Sequence, residues 1–359
     1  MKVAIVGLPN AGKSSLFSAL TGVAAEAANY PFTTIEPNIA VVPVPDSRLG
    51  AVAETVGASK VVPDTITFHD IAGLVAGAHQ GEGLGNRFLA NIRETDAIAH
   101  VVRVHADPGV VHPEGRVDPL ADIETVETEL IYADLEQAER RLERAARTAR
   151  SGDRVAVAEA RWLERLILAL QAGEPARSVP LDPDAPDALV QLSPLTAKPV
   201  LYVANVEEGA AEIPDELQAY AAAQGAAVVA VSARLEAELA ELEPAEAAVM
   251  REELGVRESG LEAVLREAFS LLDLVAFFTA GEDKPAQSWH LRRGLSVWHA
   301  AGLIHSDIQR GFIRAEVIGW DELVSAGGYA PARERGTLRL EGRDYMVADG
   351  DVITVRFSP

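Results

Sequence analysis

Short apolar runs recur along the chain and predict buried strands. Lys2–Val6 (Lys-Val-Ala-Ile-Val), the run 97–104, the run 199–204 and Ala227–Val231 each read this way, and 65–69 is a shorter β-rich segment. Positions 15–20 read as the first turns of a helix, and 87–94 is helical in pattern. This alternation predicts an α/β fold. A different pattern fills the long interval before the run at 199. Ile123, Val126, Leu130, Leu135, Ala138 and Leu142 recur at helical spacing, with Glu127, Glu129, Glu136, Glu139, Arg140 and Arg144 among them. Gly152 interrupts, a second periodic run passes through Val155, Trp162, Leu166, Ile167 and Leu170, and Gly173 can cap it. The pair predicts an antiparallel helical hairpin, coiled-coil-like at its base, with a proline-rich stretch from Pro175 to Pro199 leading back to the strands. An arm of this kind either serves a partner or is a structural insertion.

The strand ends carry the chemistry. Gly7-Leu8-Pro9-Asn10-Ala11-Gly12-Lys13-Ser14 is a G-x-x-x-x-G-K-S phosphate loop between the first strand and the first helix. Backbone N–H groups of Asn10 to Ser15 would cradle phosphates, Lys13 would reach the β/γ-phosphates, and the Ser14 hydroxyl would coordinate Mg²⁺. In Asn29-Tyr30-Pro31-Phe32-Thr33-Thr34-Ile35-Glu36-Pro37-Asn38, Thr33 and Thr34 are both eligible as a second Mg²⁺ ligand of switch type. Asp70-Ile71-Ala72-Gly73 is a D-x-x-G, in which Asp70 would hold Mg²⁺ through water and the Gly73 amide would face the γ-phosphate. The next residue is Leu74, where Ras-like enzymes orient water with Gln. Unstimulated turnover is therefore expected no faster than about 10⁻² s⁻¹.

The base-reading positions are altered. Guanine-specific enzymes carry Asn-Lys-x-Asp, whereas this chain has Asn205-Val206-Glu207-Glu208. The Lys stem is gone and the carboxylate sits one methylene further out, which argues against strict guanine selection. Ser232-Ala233-Arg234 follows the last strand of the set, where backbone amides would touch the base.

Composition narrows the class. The 359 residues suffice for two or three domains, and the absence of Cys excludes disulfides, zinc thiolates and thiol catalysis. No apolar run suggests a membrane span and the chain opens on a strand, so a cytoplasmic protein is expected. A net charge of −22 repels nucleic acid at long range, so any RNA contact needs a local basic patch. The window from Trp289 to Arg314, with Arg292, Arg293, Arg310 and Arg314, offers one such patch.

Taken in order, the phosphate loop, Asn-Tyr-Pro-Phe-Thr-Thr-Ile-Glu-Pro-Asn, Asp-Ile-Ala-Gly-Leu and Asn-Val-x-Glu resemble the YchF family, also called Obg-like ATPases. The stretches Phe277–Glu282, Gly311–Ile318 and Leu340–Tyr345, with Asp349-Gly350-Asp351, resemble that family's TGS domain. The resemblance implies a Ras-like P-loop G domain (1–120 and 198–273), an inserted α-helical coiled-coil hairpin (121–197) and a C-terminal β-grasp TGS domain (274–359). It implies an ATPase preferring ATP over GTP, Mg²⁺ dependence, and binding to the ribosome through its large subunit, with RNA contacts by the TGS domain and arm. By position it selects Thr34 as the Mg²⁺ threonine, Asn205, Val206 and Glu208 as the adenine-facing loop, Asn10 as a K⁺ partner and His112 as a substitute for the missing Gln. An Obg-type GTPase, or a nucleotide-dependent RNA- or protein-binding module without significant catalysis, are the alternatives.

Overall fold

The computed structural model describes residues 1–26, 38–71, 84–107, 109–113, 115–210, 212–254, 256 and 259–358. In chain order the strands are β1 (Lys2–Val6), β2 (Ile39–Pro43), β3 (Lys60–Val62), β4 (Thr65–Asp70), β5 (Ala97–Arg103), β6 (Val200–Asn205), β7 (Ala227–Val231), β8 (Leu274–Thr279), β9 (Pro285–Arg292), β10 (Phe312–Gly319), β11 (Arg339–Glu341) and β12 (Asp351–Phe357). They form two six-stranded sheets, ordered β2-β4-β1-β5-β6-β7 and β11-β10-β12-β8-β9-β3. The contacts divide the chain into two compact units, one built on Met1–Glu26, Thr34–Val41 and Thr67–Leu271, the other on Val42–Ile66 and Leu272–Pro359.

In the first unit β1 pairs in parallel with β4 and β5, and β5, β6 and β7 continue in parallel. Every residue of β5 is buried, as expected of a central strand covered by helices on both faces. Ala4, Val6 and Ile98 pack against Phe88, Leu89, Ile92, Val126 and Leu130, and Val102 and Tyr202 pack against Ile123, Leu217 and Ala221. The parallel strands point their C-terminal ends to one edge, where α/β folds place ligands. Strand order and helical layers are those of a P-loop GTPase domain.

The hairpin is present as two helices, Pro119–Ala149 and Arg154–Gln171. Asp118 caps the first, accepting from the Ala121 N–H at 3.1 Å, and Pro119 fits the first helical position. Gly152 (φ 82°) turns the chain and Asp153 caps the second helix. Ile131, Ala138 and Ala145, seven residues apart, face Trp162, Leu166 and Leu170. The wholly buried Asp134 ties down the returning chain, accepting from the N–H groups of Leu195 and Thr196 and from the Thr196 hydroxyl at 2.7–2.8 Å.

The second unit departs from the boundaries that the sequence suggests. Residues 42–66, expected in the nucleotide domain, group with the C-terminal chain. β3 extends the second sheet by pairing in parallel with β9, and Asp64 accepts from the His290 N–H while its own N–H donates to Ser288 Oγ. Arg48, in the helix Ser47–Val56, bonds Asp349 at 2.6 Å. In the basic window from Trp289 to Arg314, two of the four arginines meet acids. Arg293 pairs with Asp273, Arg310 with Asp307, and His290 lies against Asp64. Among the described residues no helix is long and apolar enough to cross a membrane.

Candidate functional site

The turn after β1 holds backbone conformations that few residues tolerate. Gly7 has φ 150°, Asn10 63° and Gly12 104°. A Cβ on Gly7 would lie 2.4 Å from the Val101 carbonyl oxygen, and one on Gly12 would lie 2.3 Å from Asn205 Nδ2. The glycines are thus required by conformation and by close approach. The helix Lys13–Glu26 starts immediately after, so its free N–H groups and positive dipole end face the turn's concavity.

Lys13 is buried and donates through Nζ to the Leu8 carbonyl at 2.7 Å. Burial pushes its pKa down to about 8, against the opposing pull of Asp70. Burial in turn raises the Asp70 carboxyl, which the Lys13 charge holds down. Each therefore perturbs the other at the place where phosphate and metal charges are expected.

Asn205, at the end of β6, fastens the base side of the site to the phosphate side. Its Nδ2 donates to the Ala11 carbonyl at 3.0 Å and its Oδ1 accepts from the Ala233 N–H at 3.1 Å. The Ala233 amide, read from sequence as facing a base, is thus engaged by Asn205. Likewise the Val206 N–H donates to the Val231 carbonyl. Glu208 stands at the rim with Oε1 3.5 Å from Arg234 Nε, so the altered carboxylate lies beside a guanidinium.

These groups line a cavity of about 770 Å³ that takes in Asn10, Gly12, Lys13, Ser14, Ser15, Asn205, Val206, Glu208 and Ser232. That volume lies within the range of small-molecule sites. Five further lining residues had not been assigned from the sequence: Arg103, His105, Ala106, Asp107 and Val110. Arg103 is buried at the end of β5 and donates to the carbonyls of His105, Asp107 and Val110 at 3.0 Å, shaping the loop. His105 Nδ1 donates to the Asn205 carbonyl at 2.9 Å, and Asn10 Nδ2 donates to the Val111 carbonyl at 3.0 Å. The available signal was an arginine closing an apolar strand, which must find several acceptors once buried.

Two expected participants, Thr34 and Gly73, lie outside the described residues, as does Leu74. His112 is not brought to the cavity. Its buried ring places Nε2 2.9 Å from Asp122 Oδ2, in the first turn of the long hairpin helix. Its position is that of a brace between loop and helix, because the partner it faces is a carboxylate of the arm rather than the phosphate cradle.

Ser14 and Asp70 suit a magnesium ion. Among the described residues no group of three or more His, Cys, Asp or Glu side chains is arranged to hold a metal. Mg²⁺ with a nucleotide needs no such cage, since it takes one or two protein oxygens, phosphate oxygens and water.

Residues 2–140 match the family described as "50S ribosome-binding GTPase", and residues 274–358 match the YchF GTPase C-terminal family, described as "Protein of unknown function (DUF933)". The protein called Ribosome-binding ATPase YchF in Bacillus subtilis (strain 168) is 48% identical over 99% of this chain and 98% of its own length. Its namesake in Haemophilus ducreyi is 50% identical over 99% of both chains. The solved structure of the Schizosaccharomyces pombe YchF GTPase superposes with a TM-score of 0.86 at 31% identity, covering 99% of this chain and 97% of that one. A GTP binding protein from Pyrococcus horikoshii shares the fold, with a TM-score of 0.64 at 21% identity over the full length of both. Matched over 99% of its length by relatives 48–50% identical to it, this chain belongs to the YchF family of P-loop nucleotide-binding proteins.

Proposed function

We propose that this chain is a ribosome-binding ATPase that hydrolyses ATP to ADP and phosphate slowly, with Mg²⁺, in the cytoplasm. One observation carries the reading: a single cavity joins the phosphate cradle to a rim lined by Val206 and Glu208, where guanine-specific enzymes carry Lys and Asp. A carboxylate carried one methylene further out meets the two N–H donors of guanine less well, and adenine requires no carboxylate. The names of relatives in Bacillus subtilis and Haemophilus ducreyi support both ATP and the ribosome.

In this reading the turn from Asn10 to Ser15 binds the phosphate tail, and Lys13 releases the Leu8 carbonyl to meet the β/γ-phosphates. Ser14 and Thr34, with Asp70 through water, would hold Mg²⁺, which would supply positive charge to offset that of the phosphates. Asn10 commits Nδ2 to Val111 and keeps Oδ1 for a K⁺ ion. Leu74 cannot orient water, so the cradle positions the triphosphate without a built-in activating side chain. The nucleotide state would set how the arm and the C-terminal TGS-like unit meet ribosomal RNA. The test is phosphate release by purified protein with ATP and Mg²⁺, then pelleting with ribosomes in ATP and in ADP. Release below about 10⁻² s⁻¹ and nucleotide-dependent pelleting are expected. Release of several per second without a partner, or no pelleting in either nucleotide, would reject the proposal. A guanine-specific reading is favoured by the names of the Schizosaccharomyces pombe structure and of the family matched at residues 2–140, and nucleotide competition decides between the two.

A further inference from the structure

The loop that walls the cavity after β5 is fastened from three sides, and one of them is the arm. Arg103 holds it to the end of β5 by donating to the carbonyls of His105, Asp107 and Val110. From the cradle, Asn10 Nδ2 donates to the Val111 carbonyl at 3.0 Å. From the arm, Asp122 Oδ2 lies 2.9 Å from His112 Nε2. The carbonyl that Asn10 grips belongs to the peptide unit joining Val111 to His112, which is planar and rigid. Asn10, that peptide, His112 and Asp122 thus form one polar chain from the phosphate-binding turn to the first turn of the helix Pro119–Ala149.

Polar bonds rather than apolar burial hold this part of the loop. The Val111 side chain is 79% exposed, so it gains little from packing. The His112 and Asp122 side chains, in contrast, are both buried. Asp122 Oδ1 has no hydrogen-bond partner, so the carboxylate leans on His112 through its other oxygen alone. Burial raises the Asp122 carboxyl, and the bond from His112 opposes that rise. A plain structural clamp would satisfy both oxygens, as Asp134 does three turns further along the same helix. The joint at Asp122 is therefore the less committed of the two.

We infer, on the reading that this cavity holds ATP, that His112 and Asp122 are positioning residues that couple occupancy of the phosphate-binding turn to the foot of the arm. Neither touches the nucleotide; they act through the Val111 carbonyl and Asn10. Filling the turn changes it, because Lys13 must give up the Leu8 carbonyl two residues before Asn10. Such coupling is reciprocal. If bound nucleotide steadies the foot of the arm, then breaking the joint weakens nucleotide binding by the same factor.

The test uses the full-length chain with Mg²⁺ and three variants: His112→Ala, His112→Gln, whose amide keeps an N–H donor towards Asp122, and Glu124→Gln, exposed in the same stretch of helix. Displacement of a fluorescent nucleotide gives the ATP affinity, phosphate release gives kcat and KM, and hydrogen exchange with and without a non-hydrolysable ATP analogue reads residues 118–126. His112→Ala is expected to bind ATP at least about fivefold more weakly, with KM raised by the same factor and kcat within about twofold. His112→Gln and Glu124→Gln should stay within about twofold of wild type. In wild type the analogue should slow exchange at 118–126 at least about threefold, and in His112→Ala that response should vanish while exchange at 10–16 still slows. Unchanged affinity in His112→Ala, or an equal loss in His112→Gln or Glu124→Gln, overturns the coupling and leaves the nucleotide site standing. A fall in kcat at constant KM would make His112 a catalytic residue and also overturns it. Should His112→Ala fail to fold, wild-type exchange decides: no response at 118–126 to bound analogue overturns the coupling. Wild type that binds no nucleotide overturns the reading of the cavity, and the coupling with it.

Discussion

Lys13 makes the affinity for a nucleotide depend on pH in a calculable way. In the nucleotide-free protein burial holds its pKa at about 8. Phosphates placed against Nζ would restore the charged form, so binding takes up a proton wherever the free protein has lost it. With a free pKa of about 8 and a bound pKa well above 9, about nine-tenths of Lys13 is charged at pH 7 and about one-tenth at pH 9. Apparent ATP affinity should therefore fall about tenfold over that interval, or about 1.4 kcal/mol. The sign for folding is consistent. Because the folded pKa lies below that of the unfolded chain, the unfolded state binds more protons between about pH 8 and 10.5, and the empty fold gains stability as pH rises through that window. Titration of a fluorescent ATP analogue at pH 7, 8 and 9, with calorimetry in two buffers of different ionisation heat, measures both the affinity loss and the proton uptake. Affinity constant within twofold from pH 7 to 9, with buffer-independent heats, would refute the claim that Lys13 is held partly neutral in the empty cradle.

Other perturbations read different parts of the site. Asn205→Ala leaves the Ala11 carbonyl and the Ala233 N–H without their partner, at about 1–3 kcal/mol each, so ATP binding should weaken at least about tenfold; equilibrium titration within twofold of wild type contradicts this. Val206→Lys with Glu208→Asp restores the guanine-reading pattern and draws the carboxylate away from Arg234, which should shift the GTP-to-ATP affinity ratio at least about tenfold towards GTP in competition assays; an unchanged ratio removes these positions from base selection. His112→Ala should leave phosphate release within about twofold, because the ring faces Asp122 and not the cavity; a hundredfold loss of kcat would restore it as a catalytic group.

The site was legible where chemistry is local. Gly7 to Ser14 announces itself because backbone geometry, helix start and phosphate binding occupy one contiguous segment. The hairpin was legible because Ile123, Val126, Leu130, Leu135, Ala138 and Leu142 recur at helical spacing across many turns. What the sequence concealed depends on distant partners. β3 is three residues long and pairs with β9 more than two hundred positions later, and a strand's own alternation says nothing about which neighbour it will choose. Arg103 looked like the end of a strand, and only the fold shows it gathering three carbonyls under the cavity. The partner of Arg293 in the window between Trp289 and Arg314 was not legible, because Asp273 lies outside it in sequence and beside Arg293 in space.

The proposed function requires a triphosphate cradle beside a rim that does not select guanine. Direct competition between ATP and GTP for the purified full-length chain, read by displacement of a fluorescent nucleotide with Mg²⁺ present, tests this most simply. Tighter binding of ATP is the predicted outcome. A GTP preference of tenfold or more, or a failure of either nucleotide to displace the probe, would contradict it.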